Sequence, residues 1–532
     1  MFVRVKRSVQ KGTSYEYLQI VESFREQGKP RQRVLATLGK RDVLVASGTL
    51  DGLLQSIAKF SERLRVVEAV RTQGIVARSS ALWGPPLVFG RLWETQGLPE
   101  ILDRLAEGRR FGFDLERMSF AMALQRLCCP GSDLQGSGWI QTVEGLCSER
   151  MELQHFYRTT GFLSEVRDDL ERELFDRDRD LFTQSLDLVF IDTTSLYVYR
   201  AEETEWRRRG YSRDHRPDLP QLVLAVAVDR QGWPVSWEVF PGNTADHRVF
   251  EAMIEKMRER FRIHRVVVVA DRGMISQGAI KQLEGSERAP YEYILGCRMR
   301  KQKEVKEAVL SRGGRYTEVG PQLKVKEVWV KDRRYIVCLN EQEAFKDAAA
   351  REAILERLRR VLEQKGPKAL VGNQGFARFV RIEKGSAKIN EQAVREDARF
   401  DGKFVLTTNT ELPSEEVAMT YKGLWRVERT FREEKSTLKV RPLFHHRDDT
   451  SMGHIVASFL ALRLEVDLQR RLEQANLSVS WPDLMRDLSQ LRAVRVELDG
   501  HNYLLRTDLK GSAYQAFAAV GMRPPPPVTL LN

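Results

Sequence analysis

Three acidic residues stand out by where they fall in the chain. Asp192 follows the apolar run "LDLVFI" and Asp271 follows "RVVVVA", so each ends a stretch that reads as a buried β-strand. In α/β sheets that edge collects ligands and catalytic groups, although an aspartate there also commonly caps the next turn. Glu428 lies inside "YKGLWRVERTFREEK" (421–435), where apolar residues recur at helical spacing. Carboxylates are hard oxygen ligands. Three of them suit a pair of divalent cations such as Mg²⁺, which sit about 4 Å apart when one carboxylate bridges them.

Helical geometry offers a check on Glu428. At about 100° per residue, Leu424, Val427, Phe431 and Leu438 share one side, Glu428 sits at its border, and Tyr421, Arg432 and Lys435 flank it. Glu433 and Glu434 point elsewhere. The alternative is a solvated helix with an internal Glu428–Arg432 pair. Between 422 and 447, Lys422, Arg426, Arg429, Arg432, Lys435, Lys439, Arg441 and Arg447 face only three glutamates. Cations crowded around a metal carboxylate make sense where a phosphate backbone crosses the site.

The elements that must position these residues follow from texture. Residues 1–48 read as a β unit, with "YEYLQIVESF" and "PRQRVLATLG" around a turn at Gly28, and basic patches that suit DNA ends or a solvated surface. Residues 49–185 read as a helical domain and a DNA-binding candidate. Residues 186–275 give strand, hairpin ("QLVLAVAVDRQGWPVSWEVF"), amphipathic helix and buried strand. A β-containing insertion is expected over 276–400. A second core segment with the Glu428 helix follows over 401–475, then a C-terminal region (476–532) that could serve dimerisation and ends in an extended "RPPPPV" tail.

Composition agrees with a nucleic-acid partner. A net charge of +12 and a pI near 9.4 favour polyanions, while 42% hydrophobic and 30% charged residues exclude a disordered chain. Five scattered cysteines give no disulfide framework and no zinc spacing. No signal peptide or membrane span is evident, so a cytoplasmic location is expected, with nucleoid association when bound to DNA. "GNQG" lacks a Walker lysine, so no nucleotide cofactor is expected, and no tyrosine follows "HH" at the spacing of a tyrosine recombinase.

The order of these motifs resembles the DDE transposases of bacterial insertion sequences, in the insertion-sequence-four (IS-four) superfamily. "DTTSLY" (192–197), "ADRGM" (270–274) and "LWRVERTFR" (424–432) match one branch of it. "GYSRDHRPDLPQ", "FPGNTAD", "EDARFDGKFVLTTNT" and "VRPLFHH" also look familial, so the likeness covers nearly the whole chain. The superfamily carries a Tyr, Arg, Glu, Lys signature. Tyr421, Glu428 and Lys435 match it, while Leu424 stands where the Arg would be, leaving that role to a neighbour such as Arg426 or Arg432.

The resemblance implies an α/β fold with a ribonuclease-H-like (retroviral integrase-like) catalytic core. It implies Asp192, Asp271 and Glu428 as catalytic ligands of two Mg²⁺ ions, with Mn²⁺ able to substitute. The implied reaction is hydrolysis at the element's ends, attack of the freed 3′-OH on the other strand, often through a hairpin, and joining to target DNA. Double-stranded DNA and a homodimer on it are the implied partners. Tyr421, Arg426, Arg432, Lys435, Arg213 and His215 would contact DNA. Trp329 either stacks on a flipped base or is an ordinary sheet residue. A nuclease that cuts without joining and a DNA-binding relative without catalysis are the competing readings.

Overall fold

The computed structural model describes residues 1–10, 13–26, 29–58, 60, 77–146, 151–181, 188–259, 267–271, 277–284, 291–320, 322–365, 378–383, 386–498 and 501–531. The chain forms two compact units. One holds Met1–Gly84, Trp481–Tyr514 and Arg523–Asn532; the other holds Pro85–Ser480 and Gln515–Met522.

The first unit begins with an antiparallel meander of β1 (Phe2–Gln10), β2 (Thr13–Glu26) and β3 (Lys29–Lys40). Leu18, Gln19 and Val21 of β2 are buried there, and cross-strand ion pairs such as Arg7–Glu16 (2.9 Å) and Arg33–Glu22 (2.7 Å) line its open surface. The "REQGK" turn centred on Gly28 lies partly outside the described residues. β4 (Ala77–Leu82) belongs to another sheet, described below.

The second unit is built on nine strands. These are β5 (Leu188–Tyr197), β6 (Gln221–Asp229), β7 (Pro234–Pro241), β8 (Val267–Ala270), β9 (Glu292–Gly296), β10 (Thr317–Gly320), β11 (Leu323–Val330), β12 (Arg333–Asn340) and β15 (Lys403–Thr408). A separate hairpin, β13 (Val380–Glu383) and β14 (Ser386–Ile389), lies between them in sequence. The sheet order is β10-β11-β12-β15-β9-β8-β5-β6-β7. β5, β6 and β7 run antiparallel, while β8 and β9 run parallel to β5. β6 is buried along eight of its nine residues and β8 along all four, the mark of central strands covered on both faces. The expected hairpin at 221–240 is present, with Val226 opposite Trp237.

Sequence reasoning set 276–400 apart as an insertion, but β9 to β12 hydrogen-bond into the central sheet. Their apolar alternation carries no label saying which sheet they join. The helices expected over 49–185 lie in the second unit from Pro85 onward, where Leu115–Cys128 and Leu153–Glu165 pack against the long Asp448–Gln474 helix. Gly453 permits that approach, since a Cβ there would lie 1.8 Å from the Thr160 carbonyl oxygen of the Leu153–Glu165 helix.

The C-terminal region contributes strands to the first unit. β16 (Arg492–Leu498), β17 (His501–Arg506) and β18 (Val528–Leu531) join β4 in a four-stranded sheet of the first unit, in the order β18-β17-β16-β4. "RPPPPV" therefore leads into an edge strand, the place in a sheet where proline is tolerated.

Candidate active site

The last register pair between β5 and β8 is Ile191 opposite Ala270. Asp192 and Asp271 are the next residues on these adjacent parallel strands, so one backbone step carries both past the same point. Asp271 is where β8 ends. Asp192, by contrast, is interior to β5, which continues to Tyr197 beside β6. The expectation that Asp192 ends its strand is corrected to that extent.

The "YKGLWRVERTFREEK" segment is not one continuous helix. Tyr421 is the penultimate residue of the Ser414–Lys422 helix, the chain tightens at Gly423, and Trp425–Arg432 forms a second short helix. Glu433–Thr437 then widens into a π turn, closed by Leu438 N donating to the Glu433 carbonyl at 2.9 Å. Gly423 is required by packing: a Cβ there would meet Phe190 Cζ of β5 at 2.6 Å. Leu424, Val427, Phe431 and Leu438 are all buried, and the Trp425–Arg432 helix packs on β5 and β6. Glu428 stays exposed beside that stripe, its backbone N–H donating to the Leu424 carbonyl at 3.2 Å.

The electrostatics tie the three acids together. Burial pushes the Asp192 carboxyl up to about 6; Arg213 and the Thr193 N–H oppose the rise, and the charges of Asp271 and Glu428 add to it. Thr193 N donates to Asp192 Oδ1 at 2.7 Å, and Arg213 Nη1 lies 3.6 Å from the same oxygen. Tyr421 Oη donates to Asp271 Oδ1 at 2.9 Å, its ring stacked on Phe404 of β15 at 5.8 Å. A recessed carboxylate with two exposed ones acting on it is a donor set of hard oxygens, which fits Mg²⁺ or Mn²⁺.

The other expected contacts are only partly gathered here. Arg213 is bound to Thr193 Oγ1 (2.6 Å) and Asp246 (3.2 Å) as well as facing Asp192. His215 is exposed with a left-handed φ of 56°. Arg432 is exposed at the end of the Glu428 helix, and Arg426 lies 5.2 Å from the ring of Trp425. Lys435 points at Asp214, 3.1 Å away. Trp329 is set apart. It is half exposed on β11, five strands from β5, or roughly 24 Å by strand spacing, and its Nε1 donates to Glu327 at 2.7 Å. Sequence reasoning singled out neither Asp214 nor Asp246, because a polar loop gives no periodic signal.

A second cluster lies elsewhere in this unit. Asp133, His445 and His454 bring one ligand atom each within 4.8 Å of one another. The guanidinium of Arg126, however, sits 3.1 Å from both Asp133 Oδ1 and His454 Nδ1, so a side chain already supplies the cation there.

Comparison with known families follows this geometry. The transposase DDE domain matches residues 183–464, just over half the chain, and the chain belongs to that family. Residues 3–74 match the IS1634 family transposase N-terminal domain, which makes this an insertion-sequence DDE transposase. No curated protein matches the chain. Membership defines an enzyme of phosphoryl transfer on nucleic acid, with DNA as its partner and divalent metals as the family's general cofactor. No helix among the described residues is long and apolar enough to cross a membrane.

Proposed function

We propose that the chain cuts DNA at the ends of its insertion sequence and joins the freed ends to target DNA, with Asp192, Asp271 and Glu428 holding two Mg²⁺ ions. One observation carries the reading. Two aspartates stand at the same level on adjacent parallel strands, Asp192 inside β5 and Asp271 just past the end of β8, and the charges of Asp271 and of Glu428 both act on Asp192. The strand order, three antiparallel strands with two parallel ones added beside the first, supports a ribonuclease-H-like core.

Bound divalent cations would polarise an attacking water or hydroxyl and stabilise the leaving oxygen. The chain's own groups prepare that chemistry. Arg213 opposes the burial that would keep Asp192 protonated. The Tyr421 hydroxyl fixes the Asp271 carboxylate. Arg426, Arg432, Lys435 and Arg213 supply cations for the phosphate backbone, and His215 adds a polar contact; such contacts position DNA without reading its sequence. Two ends must be brought together, so the working form is a homodimer on DNA.

The test is a labelled duplex carrying the element's own terminal repeat, incubated in Mg²⁺. Wild type should nick it and release a 3′-OH, and Asp192→Ala, Asp271→Ala and Glu428→Ala should each lower the rate by at least a thousandfold. Cleavage that persists in Asp192→Ala ends the proposal. Precut ends that are never joined to a second duplex reduce it to a nuclease.

A further inference from the structure

Next to Arg213 lies a residue that no part of the reading above uses. The Asp214 carboxylate is 4% exposed, and its Oδ1 receives two cations, Lys435 Nζ at 3.1 Å and Arg441 Nη1 at 3.0 Å. Its Oδ2 is buried and has no hydrogen-bond partner among the described residues. Two cations on one oxygen leave the group with a net positive charge. It is anchored on three segments: the 211–216 loop, the π turn after the Glu428 helix, and the stretch that follows it.

The loop itself is pinned. Arg213 N donates to Ser195 Oγ at 3.0 Å, Arg216 N donates to Ser212 Oγ at 3.1 Å, and His215 adopts a left-handed backbone at the bend. Tyr197, the last residue of β5, has the guanidinium groups of Arg216 and Arg441 at 5.6 and 5.7 Å from its ring. Arg213 and Asp214 are consecutive, yet one addresses the acid Asp192 and the other addresses the cations beyond Glu428.

We propose that Asp214 is a positioning residue: it aims Lys435 and Arg441 so that they grip the DNA phosphate backbone beside the acidic centre. The proposal rests on the DNA-cutting reading above and deepens it. Lys435 is 16% exposed, and burial pulls its amine below the usual lysine range while Asp214 opposes the fall. Without that carboxylate, two partly desolvated cations would repel each other and turn outward. Asp214 need not touch DNA. It acts through Lys435 and Arg441, much as an outer partner orients a ligand-bearing side chain.

A double-mutant cycle tests this. Binding of the full chain to a fluorescent terminal-repeat duplex is measured for wild type, Asp214→Asn, Lys435→Ala and the double variant, with thermal unfolding followed in parallel. Lys435→Ala should weaken binding several-fold, Asp214→Asn about tenfold because it also releases Arg441, and the double variant no more than Asp214→Asn alone. Mn²⁺ binding by the acidic centre should be unchanged. A hundredfold loss in the double variant, or an Asp214→Asn that binds as wild type does, overturns the proposal. Should Asp214→Asn not fold, Asp214→Glu keeps the charge and lengthens the arm. It must then weaken binding, again without adding to Lys435→Ala, or the proposal falls. A wild type that binds the duplex without cutting it removes the cleavage reading and leaves the cycle to decide; one that does not bind removes both.

Discussion

Asp192→Asn should make the metal-free protein more stable while abolishing its cleavage. In the folded chain the Asp192 carboxyl titrates near 6 against an ordinary value of 3.8. The folded state therefore holds this proton more tightly than the unfolded state does. The penalty is absent below pH 3.8, grows as the pH rises between 3.8 and 6, and is complete above 6. A difference of this size corresponds to about 3 kcal/mol at about 1.4 kcal/mol per tenfold. Asparagine keeps an oxygen for the Thr193 N–H at 2.7 Å but loses the attraction of Arg213 at 3.6 Å, so a gain of about 1–3 kcal/mol is expected at pH 8. Chemical denaturation at pH 8 and at pH 4, both in EDTA, measures it: the gain should appear at pH 8 and shrink to about half a kcal/mol or less at pH 4. Saturating Mg²⁺ should reverse the order, stabilising wild type more than the variant. A variant less stable than wild type at pH 8 in EDTA, or an equal gain at both values, would refute the account of a strained, metal-ready carboxylate.

Three further outcomes follow from the same structure. Divalent-metal affinity should fall as the pH drops below about 6, because Asp192 must lose its proton to serve as a ligand; Mn²⁺ titrations at pH 5 and pH 7.5 check this. Gly423→Ala should cost about 1–3 kcal/mol by overpacking against Phe190 and should lower the cleavage rate more than duplex affinity, since it displaces the Glu428 helix; melting and single-turnover kinetics report on the two effects. Asp133→Asn should destabilise the second unit by about 3–5 kcal/mol, because it strips the buried Arg126 of its carboxylate partner; urea unfolding measures the loss.

How much of this was legible beforehand depends on the kind of signal. Asp192, Asp271 and Glu428 each stood at the edge of a periodic apolar pattern, and burial of such patterns is what drives these elements to form. The buried stripe of Leu424, Val427, Phe431 and Leu438 was readable for that reason. The break at Gly423 was not, since it answers to the ring of Phe190, more than 230 residues away in sequence. Strand membership was equally hidden. β9 to β12 look like any amphipathic hairpins, and only tertiary pairing enlists them in the central sheet, while β4 and β16 find each other across nearly the whole chain.

The polar groups were hardest to foresee, because their placement depends on pairs rather than periods. Arg213 and Asp214 sit in a loop where charge usually means solvent, yet the fold buries one carboxylate under two cations and presses its neighbour toward Asp192. Burying an acid beside two others is costly in the absence of metal, and burying cations beside them offsets part of that cost. The strain is therefore evidence. A fold optimised for stability alone would not set Asp192 within reach of two more negative charges, so the arrangement makes sense if divalent ions complete it, and the pH-dependent gain from Asp192→Asn in EDTA measures what the acidic centre costs without them.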